Sequence, residues 1–287
     1  MADEPQTNGV TNGVTNGATS EASLKPTIVL IHGLWMSPTC WEDWIAHFTK
    51  KGYNTIAPGW PGLDDRTVED IRAHPEALKG LTIGTIIENY TKIIKALPSP
   101  PIVMGHSFGG LFTQILLSKG LGVAGVAISP AQPSGVLTLK LSTVKAGFGV
   151  LGNPLNYNKA VKITENQFHY NFGNHLNKAD SKALWEKYSI PAAGHILFQG
   201  VLGLISSKSE GTVAFGKKDR VPLLLIGGTN DHVIPRAVVE AEKDHYVGPA
   251  IVDLKIFEGR THGIVNQAGW EEVADFALNW VEEKIKV

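Results

Sequence analysis

A serine between spaced glycines, Gly105-His106-Ser107-Phe108-Gly109, with a further glycine at Gly110, is the part of this 287-residue chain best suited to chemistry. The apolar, β-type stretch Pro101 to Met104 ends on Gly105, and a helix-like segment, Leu111 to Lys119, starts at once. G-x-S-x-G between strand and helix has the form of a nucleophile elbow. The turn is so sharp that Ser107 must adopt a strained backbone, and Gly105 and Gly109 leave no side chain to clash where the chain doubles back. The serine Oγ then stands at the carboxyl end of a sheet, at the positive N-terminus of a helix. A plain strand-to-helix turn that happens to contain serine is the bland alternative. The strand before, the helix after and Gly110 favour the catalytic one.

A serine hydroxyl is a poor nucleophile at neutral pH, so it needs a histidine base, an acid to orient that base, and donors for the oxyanion. In this architecture the chain order is Ser, then Asp or Glu, then His. Val221 to Gly228 is a short apolar run that reads as a buried parallel strand, and Asp231 follows on the next loop. Ile251 to Phe257 reads as the last strand, and His262 lies on the loop after it, in Gly259-Arg260-Thr261-His262-Gly263. Of ten histidines, His232 is the main rival, but it has the wrong order and no strand of its own. His32 and His106 sit inside glycine motifs and are better suited to supporting turns. Asp219 and Asp253 are the rival acids, and neither follows a strand end.

The oxyanion donors come from the residue after the nucleophile and from the loop after an early strand. Thr27 to Ile31 is that strand and ends in His32-Gly33-Leu34-Trp35, so the expected donors are the backbone N–H groups of Leu34 and Phe108. The His-Gly pair precedes the serine by roughly 70 residues, the length of a strand–helix–strand–helix unit. Each expected group therefore lies just past a different strand, and a parallel sheet brings such loops to one edge.

These motifs (HGLW at His32 to Trp35, GHSFGG at Gly105 to Gly110, GGTNDHVIP at Gly227 to Pro235 and GRTHG at Gly259 to Gly263) resemble those of α/β-hydrolase-fold serine hydrolases, from about Lys25 onward. The resemblance implies an α/β fold whose mostly parallel sheet is flanked by helices. It also implies Ser107 as nucleophile, His262 as base, Asp231 as orienting acid, and Leu34 with Phe108 as oxyanion donors. Epoxide hydrolases and haloalkane dehalogenases of this fold carry aspartate at the elbow, so serine argues against both. The superfamily usually starts with two antiparallel strands. No strand signal precedes Lys25, so a trimmed sheet of about six strands is expected. That trimming resembles the plant methylesterase and hydroxynitrile-lyase branch.

Composition agrees with one α/β domain carrying an insert: 43% of residues are hydrophobic, enough for a sizeable core. A net charge of −1 gives no reason to expect nucleic acid or an anionic membrane surface as partner. The single cysteine, Cys40, excludes an internal disulfide. No apolar stretch is long enough to span a membrane, and the N-terminus lacks a signal-peptide pattern, so a cytoplasmic location is expected. Residues 1–24 repeat Thr-Asn-Gly-Val with a four-residue period and read as a low-complexity, disordered tail. The core is expected over residues 25–130 and 221–287.

Residues 131–220 are too many for a simple crossover between strands. Their helical patterning, as at Lys178 to Tyr188, and their aromatic content fit a helical cap inserted after the strand ending near Ser129. Such a cap excludes water and shapes a pocket. Trp35, Met36, Phe168, Phe172, Trp185 and His195 are the principal candidates to line it, with Phe148, Leu151, Tyr170 and Phe198 beside them, although packing is the commoner fate of any one of them. The expected reaction is hydrolysis of a small hydrophobic ester, thioester or lactone through an acyl-enzyme. The same fold and triad also serve lyases, acyltransferases and carbon–carbon bond hydrolases, and a small-molecule binding protein could retain the triad. No His/Cys cluster has metal-ligand spacing, so neither metal nor cofactor is implied. Nothing in the sequence sets an oligomeric state.

Overall fold

The computed structural model describes residues 25–138, 140–206 and 208–286. The repeat tail lies outside them. The chain begins with β1 (Ile28–Ile31), every residue of which is buried. Next come α1 (Glu42–Lys50), the short β2 (Thr55–Ile56), α2 (Val68–Ala73) and α3 (Ile83–Lys95). In α3, Thr82 and Thr85 close a capping box. Its buried residues Ile83, Ile86, Ile87, Tyr90 and Ile94 follow the spacing of one helical face. β3 (Ile102–His106) then runs into α4 (Phe108–Ser118), and β4 (Ala124–Ile128) follows.

Between β4 and the next long strand lie α5 (Leu141–Leu151), β5 (Ala160–Val161), α6 (Glu165–Asn171), α7 (Lys178–Tyr188), β6 (Ala192–Ala193) and α8 (Gly194–Gly203). This stretch is not purely helical, because β5 and β6 pair antiparallel and tie its two halves together. The chain finishes with β7 (Leu223–Gly228), α9 (Arg236–His245), β8 (Val252–Phe257) and α10 (Trp270–Ile285).

The main sheet has six strands in the order β2-β1-β3-β4-β7-β8, and every pairing in it is parallel. Its central strands are buried end to end, as continuous apolar runs require when helices cover both faces. α4 is buried without a break from Phe108 to Leu117, which fits a helix apolar all round. The chain moves from β1 outward to β2, then returns to place β3 on β1's other side. That reversal opens a crevice at the carboxyl ends of β1 and β3, where ligands bind in open α/β sheets.

The register fixes what meets there. Ile31 pairs with Gly105, His106 with Ile128, Ile128 with Ile226, and Gly228 with Phe257. All these strands therefore end at one edge, and their loops carry Leu34, Ser107, Asp231 and His262. The β4–β7 segment is fastened to the body beside this edge. The Arg72 guanidinium on α2 donates to the carbonyls of Ser189, Trp185 and Glu186 at 2.7, 2.7 and 2.8 Å, holding the C-terminal end of α7.

Candidate active site

Ser107 is the residue on which β3 turns into α4, and its backbone has φ 57° and ψ −121°. A non-glycine residue is strained there. The strain is held by a dense set of bonds. The Ser107 N–H donates to Ile128 O at 2.9 Å, and its carbonyl accepts from the N–H groups of Gly110 and Ala131, both at 2.9 Å. Glycine is required at position 109, because a Cβ there would run into the carbonyl oxygen of Ile31. The next strand end comes equally close. A Cβ on Gly33 would stand 2.7 Å from the Ser107 Cβ, so the loop after β1 lies directly against the serine.

Asp231 and His262 meet in the core of the same edge. The His262 Nδ1–H donates to Asp231 Oδ2 at 2.8 Å. The other carboxylate oxygen accepts the N–H groups of Val233 and Ile234, both at 2.8 Å. Both side chains are almost wholly buried, at 1% and 0% exposure. Both carboxylate oxygens thus accept hydrogen bonds, which fix the carboxylate in one orientation. With Nδ1 committed as donor, the neutral imidazole keeps its free lone pair on Nε2. His232 does not compete. Its Nδ1–H donates to Tyr170 O (3.1 Å), and its ring stacks on the Tyr170 ring. Asp253 lies within β8 and accepts from Trp280 Nε1.

His262 is positioned by residues that the sequence alone did not single out for that work. His106 Nε2–H donates to the His262 carbonyl at 2.8 Å, and the two rings lie 4.7 Å apart. Burial, reinforced by the neighbouring His262, lowers the His106 pKa well below the ordinary histidine value, so its ring stays neutral. Arg260 fixes the same loop by donating to Ala268 O, Gly269 O and Glu272 at 2.6, 2.7 and 2.9 Å. Thr261 Oγ1–H donates to Phe172 O at 3.2 Å. His32, beside Gly33, stacks on Trp60 with ring centroids 4.9 Å apart, and burial takes its pKa down to about 4. Only the glycine motifs around His32 and His106 signalled a supporting role.

Leu34 and Phe108 are buried residues, and neither backbone N–H donates to a backbone acceptor outside its own helix among the described residues. Backbone N–H groups left without a partner are uncommon, and these two belong to the residues expected as oxyanion donors. Both residues line a cavity of about 90 Å³, together with Trp35, Ser107, Gln132 and Val233 from the body and with α5 and α8. No charged side chain lines it.

Of the expected lining residues, Trp35 is there, in a left-handed conformation with φ 63°. Leu151 on α5 is there too, but the others are not. Met36 is buried beneath the loop. Phe168 is buried and stacks on Phe172. Phe172 instead packs against the His262 ring, with centroids 5.3 Å apart. Trp185 faces Arg72 at the junction of α7 with the body. His195 bonds the Tyr157 hydroxyl on the surface. Phe148 points to solvent, Tyr170 stacks on His232, and Phe198 packs on Tyr157. The cavity wall of the inserted segment is made instead by small and aliphatic residues: Thr143, Ala146, Gly147, Leu197, Gly200, Val201 and Leu204. Among the described residues, no group of three or more His, Cys, Asp and Glu side chains is arranged to hold a metal ion.

A family model described as an alpha/beta hydrolase family matches residues 28–276. Among solved structures, the chain is similar to a monoacylglycerol lipase from Paleococcus ferrophilus (TM-score 0.61, 19% identity, covering 91% of this chain and 96% of that one). It is similar to a variant of methylketone synthase I from tomato complexed with beta-ketoheptanoate (TM-score 0.61, 19% identity, 91% and 98% covered). A methylesterase from Arabidopsis also superposes on it (TM-score 0.61, 14% identity, 90% and 99% covered). At such identities the likeness is one of fold. No curated protein sequence matches significantly.

Proposed function

The chain belongs to the alpha/beta hydrolase family, and on that premise we propose that it hydrolyses a small hydrophobic ester, thioester or lactone through an acyl-enzyme on Ser107. The observation that carries this reading is the buried Asp231–His262 bond of 2.8 Å beside the strained Ser107 turn. His262 Nε2 takes the Ser107 proton as Oγ attacks the carbonyl carbon. The negative charge that forms on the carbonyl oxygen is received by the backbone N–H groups of Leu34 and Phe108. Asp231 holds the tautomer and stabilises the imidazolium without taking the proton. The intermediate collapses, His262 protonates the leaving alcohol or thiol, and the acyl group stays on Ser107. Water then gives its proton to His262 and its oxygen to the acyl carbon, releasing the acid and restoring the serine.

The segment between β4 and β7 acts as the cap. It supplies α5 and α8 as one wall of the cavity, keeps bulk water from the oxyanion site, and selects for apolar substituents. The absence of charge in the lining favours an uncharged acyl group and disfavours a substrate that needs an ionic clamp. No helix among the described residues is long and apolar enough to cross a membrane.

The test combines a fluorophosphonate label with a panel of short esters, thioesters and lactones. Wild type is expected to label at Ser107 and turn over members of the panel, and Ser107→Ala to lose both while keeping its melting temperature. Labelling at another serine would overturn the site. Labelling without turnover across the panel would favour a binding protein, and products lacking the hydrolytic acid would favour a lyase or transferase.

A further inference from the structure

The cavity next to Ser107 opens in the middle of an apolar surface. On α5, Leu141, Val144 and Phe148 recur at helical spacing and are 90%, 48% and 67% exposed. Across the opening, at and beyond the end of α8, Leu202 and Ile205 are 59% and 80% exposed. The two sides are continuous with the site. Val201 and Leu204 line the cavity, and Leu204 also lines the adjoining groove that holds Leu137 and Ile205. The α5 stripe borders the face that sends Thr143, Ala146 and Gly147 into the same cavity. Large exposed apolar residues scattered singly are normal, but a contiguous collar of them around a pocket mouth marks an interaction site.

The inserted segment that carries this collar is rich in lysine and poor in acidic residues. From Ala131 to Thr164 and from Lys187 to Ser209 the chain contains no Asp or Glu. Lys140, Lys145, Lys159, Lys162 and Lys208 are exposed there, and none has an ion-pair partner among the described residues. The carboxylates that bound these stretches all have partners, Glu186 pairing with Lys182. Glu165 pairs with Lys182, and Glu210 accepts from Gly84 N and Gln199 Nε2. A net charge of −1 conceals this asymmetry. Exposed apolar side chains among lysines without ion-pair partners are the pattern of a face that lies on an anionic bilayer, its apolar groups in the acyl region and its ammonium groups at the phosphates.

We infer that the outer face of α5, with the segment ending α8, docks on an anionic phospholipid bilayer, so that the cavity receives lipophilic substrate directly from the membrane. The second clause rests on the hydrolase reading, and the first does not.

The experiment is cosedimentation of the full chain with phosphatidylcholine vesicles containing about one third phosphatidylserine, and with phosphatidylcholine alone. Binding to the anionic vesicles is expected, weakened by salt and much weaker on the neutral ones. Leu141→Glu with Ile205→Glu is expected to lower vesicle affinity at least about tenfold, and Lys140→Glu with Lys159→Glu several-fold. Both pairs are expected to keep the wild-type melting temperature and turnover of a water-soluble short-chain ester, since none of the four side chains lines the cavity. Ser107→Ala is expected to bind vesicles as wild type does, so a failed hydrolase reading leaves the docking result interpretable. Absence of wild-type binding to the anionic vesicles would overturn the proposal, and so would equal binding by both variant pairs. Light scattering supplies the remaining outcome: a dimer that Leu141→Glu with Ile205→Glu dissociates would assign the collar to a second copy of the chain instead.

Discussion

Gly33→Ala tests the site at its tightest contact. The new Cβ would stand 2.7 Å from Ser107 Cβ, 3.0 Å from His106 O and 3.3 Å from Ser107 Oγ. Carbon atoms in comfortable contact are about 3.5–4.0 Å apart, so the loop after β1 must retreat by roughly 1 Å. Ser107 cannot yield in its place, because four backbone bonds hold its turn. Leu34 is the next residue and moves with the loop, taking its N–H away from the oxyanion position. Losing one such donor costs about 10²–10³ in turnover, and a displacement near 1 Å has a similar effect. The expected result is a kcat/KM lower by that factor on a soluble ester, mostly in kcat, with fluorophosphonate labelling slowed in parallel. Overpacking costs stability of about 1–3 kcal/mol, so melting falls by several degrees and the cooperative transition survives. Turnover within about twofold of wild type would refute the close approach as the reason for glycine. Loss of cooperative unfolding would reassign the effect to the fold.

Three further outcomes follow from the same geometry. Asp231→Asn keeps an oxygen for the Val233 and Ile234 N–H groups but presents an amide N–H to His262 Nδ1, so kcat is expected to fall about 10⁴-fold with little change in melting temperature; a loss under tenfold would contradict the assigned tautomer. Phe172→Ala removes the ring against His262, so kcat is expected to fall evenly across an ester series, and a change confined to KM for particular substrates would return Phe172 to the substrate pocket. Glu242, on α9, is fully buried beside Gln114, and burial, only partly offset by the Gln114 side chain, raises its pKa well above the usual value. The unfolded chain therefore releases this proton first as pH rises. The folded state loses stability from the ordinary glutamate pKa upward to the raised one, by about 1.4 kcal/mol for each pH step of one within that interval. Glu242→Gln is expected to be more stable than wild type at pH 7 and no more stable at pH 4 in urea titrations; equal stability of the two at pH 7 would show that the buried carboxyl carries no such penalty.

The sheet and the residues at its edge are legible in the sequence because they rest on local rules. Ile28 to Ile31, Ile102 to Met104 and Leu223 to Ile226 are unbroken apolar runs, and only strands covered on both faces call for that pattern at that length. The glycines around Ser107 announce a turn that no other residue permits, and chain order selects Asp231 and His262 for the loops that follow. Thr55 and Ile56, by contrast, form an edge strand too short to show a period. Nor does the sequence identify His106 and Arg260 as supports of His262. Their bonds run to backbone carbonyls at distances in sequence of 156, 8 and 9 residues, which a motif does not encode.

The inserted segment is less legible, and α5 shows why. Its sequence, Leu-Ser-Thr-Val-Lys-Ala-Gly-Phe-Gly-Val-Leu, is apolar on more than one side, the usual mark of a buried helix. In the structure Gly147 and Val150 face inward, and Thr143, Ala146 and Leu151 help to line the cavity. Leu141, Val144 and Phe148 remain outside. Aromatic residues are the natural expectation for the cavity because they offer the most apolar area. A space of about 90 Å³ beside Ser107, however, exists only where the facing helices carry small side chains, here Ala146, Gly147 and Gly200. The aromatic rings occupy the joints of the segment instead: Phe172 against the base, Trp185 against Arg72, Tyr157 against His195. A pocket is visible in sequence as a lack of bulk at particular positions, and lack of bulk has no meaning until the opposing helix is known. The surplus apolar residues on α5 are then the informative ones. They exceed what the core of the segment can bury, and a helix that keeps such residues beside the mouth of the Ser107 cavity, with lysines and no carboxylate of its own, is shaped for a second apolar phase.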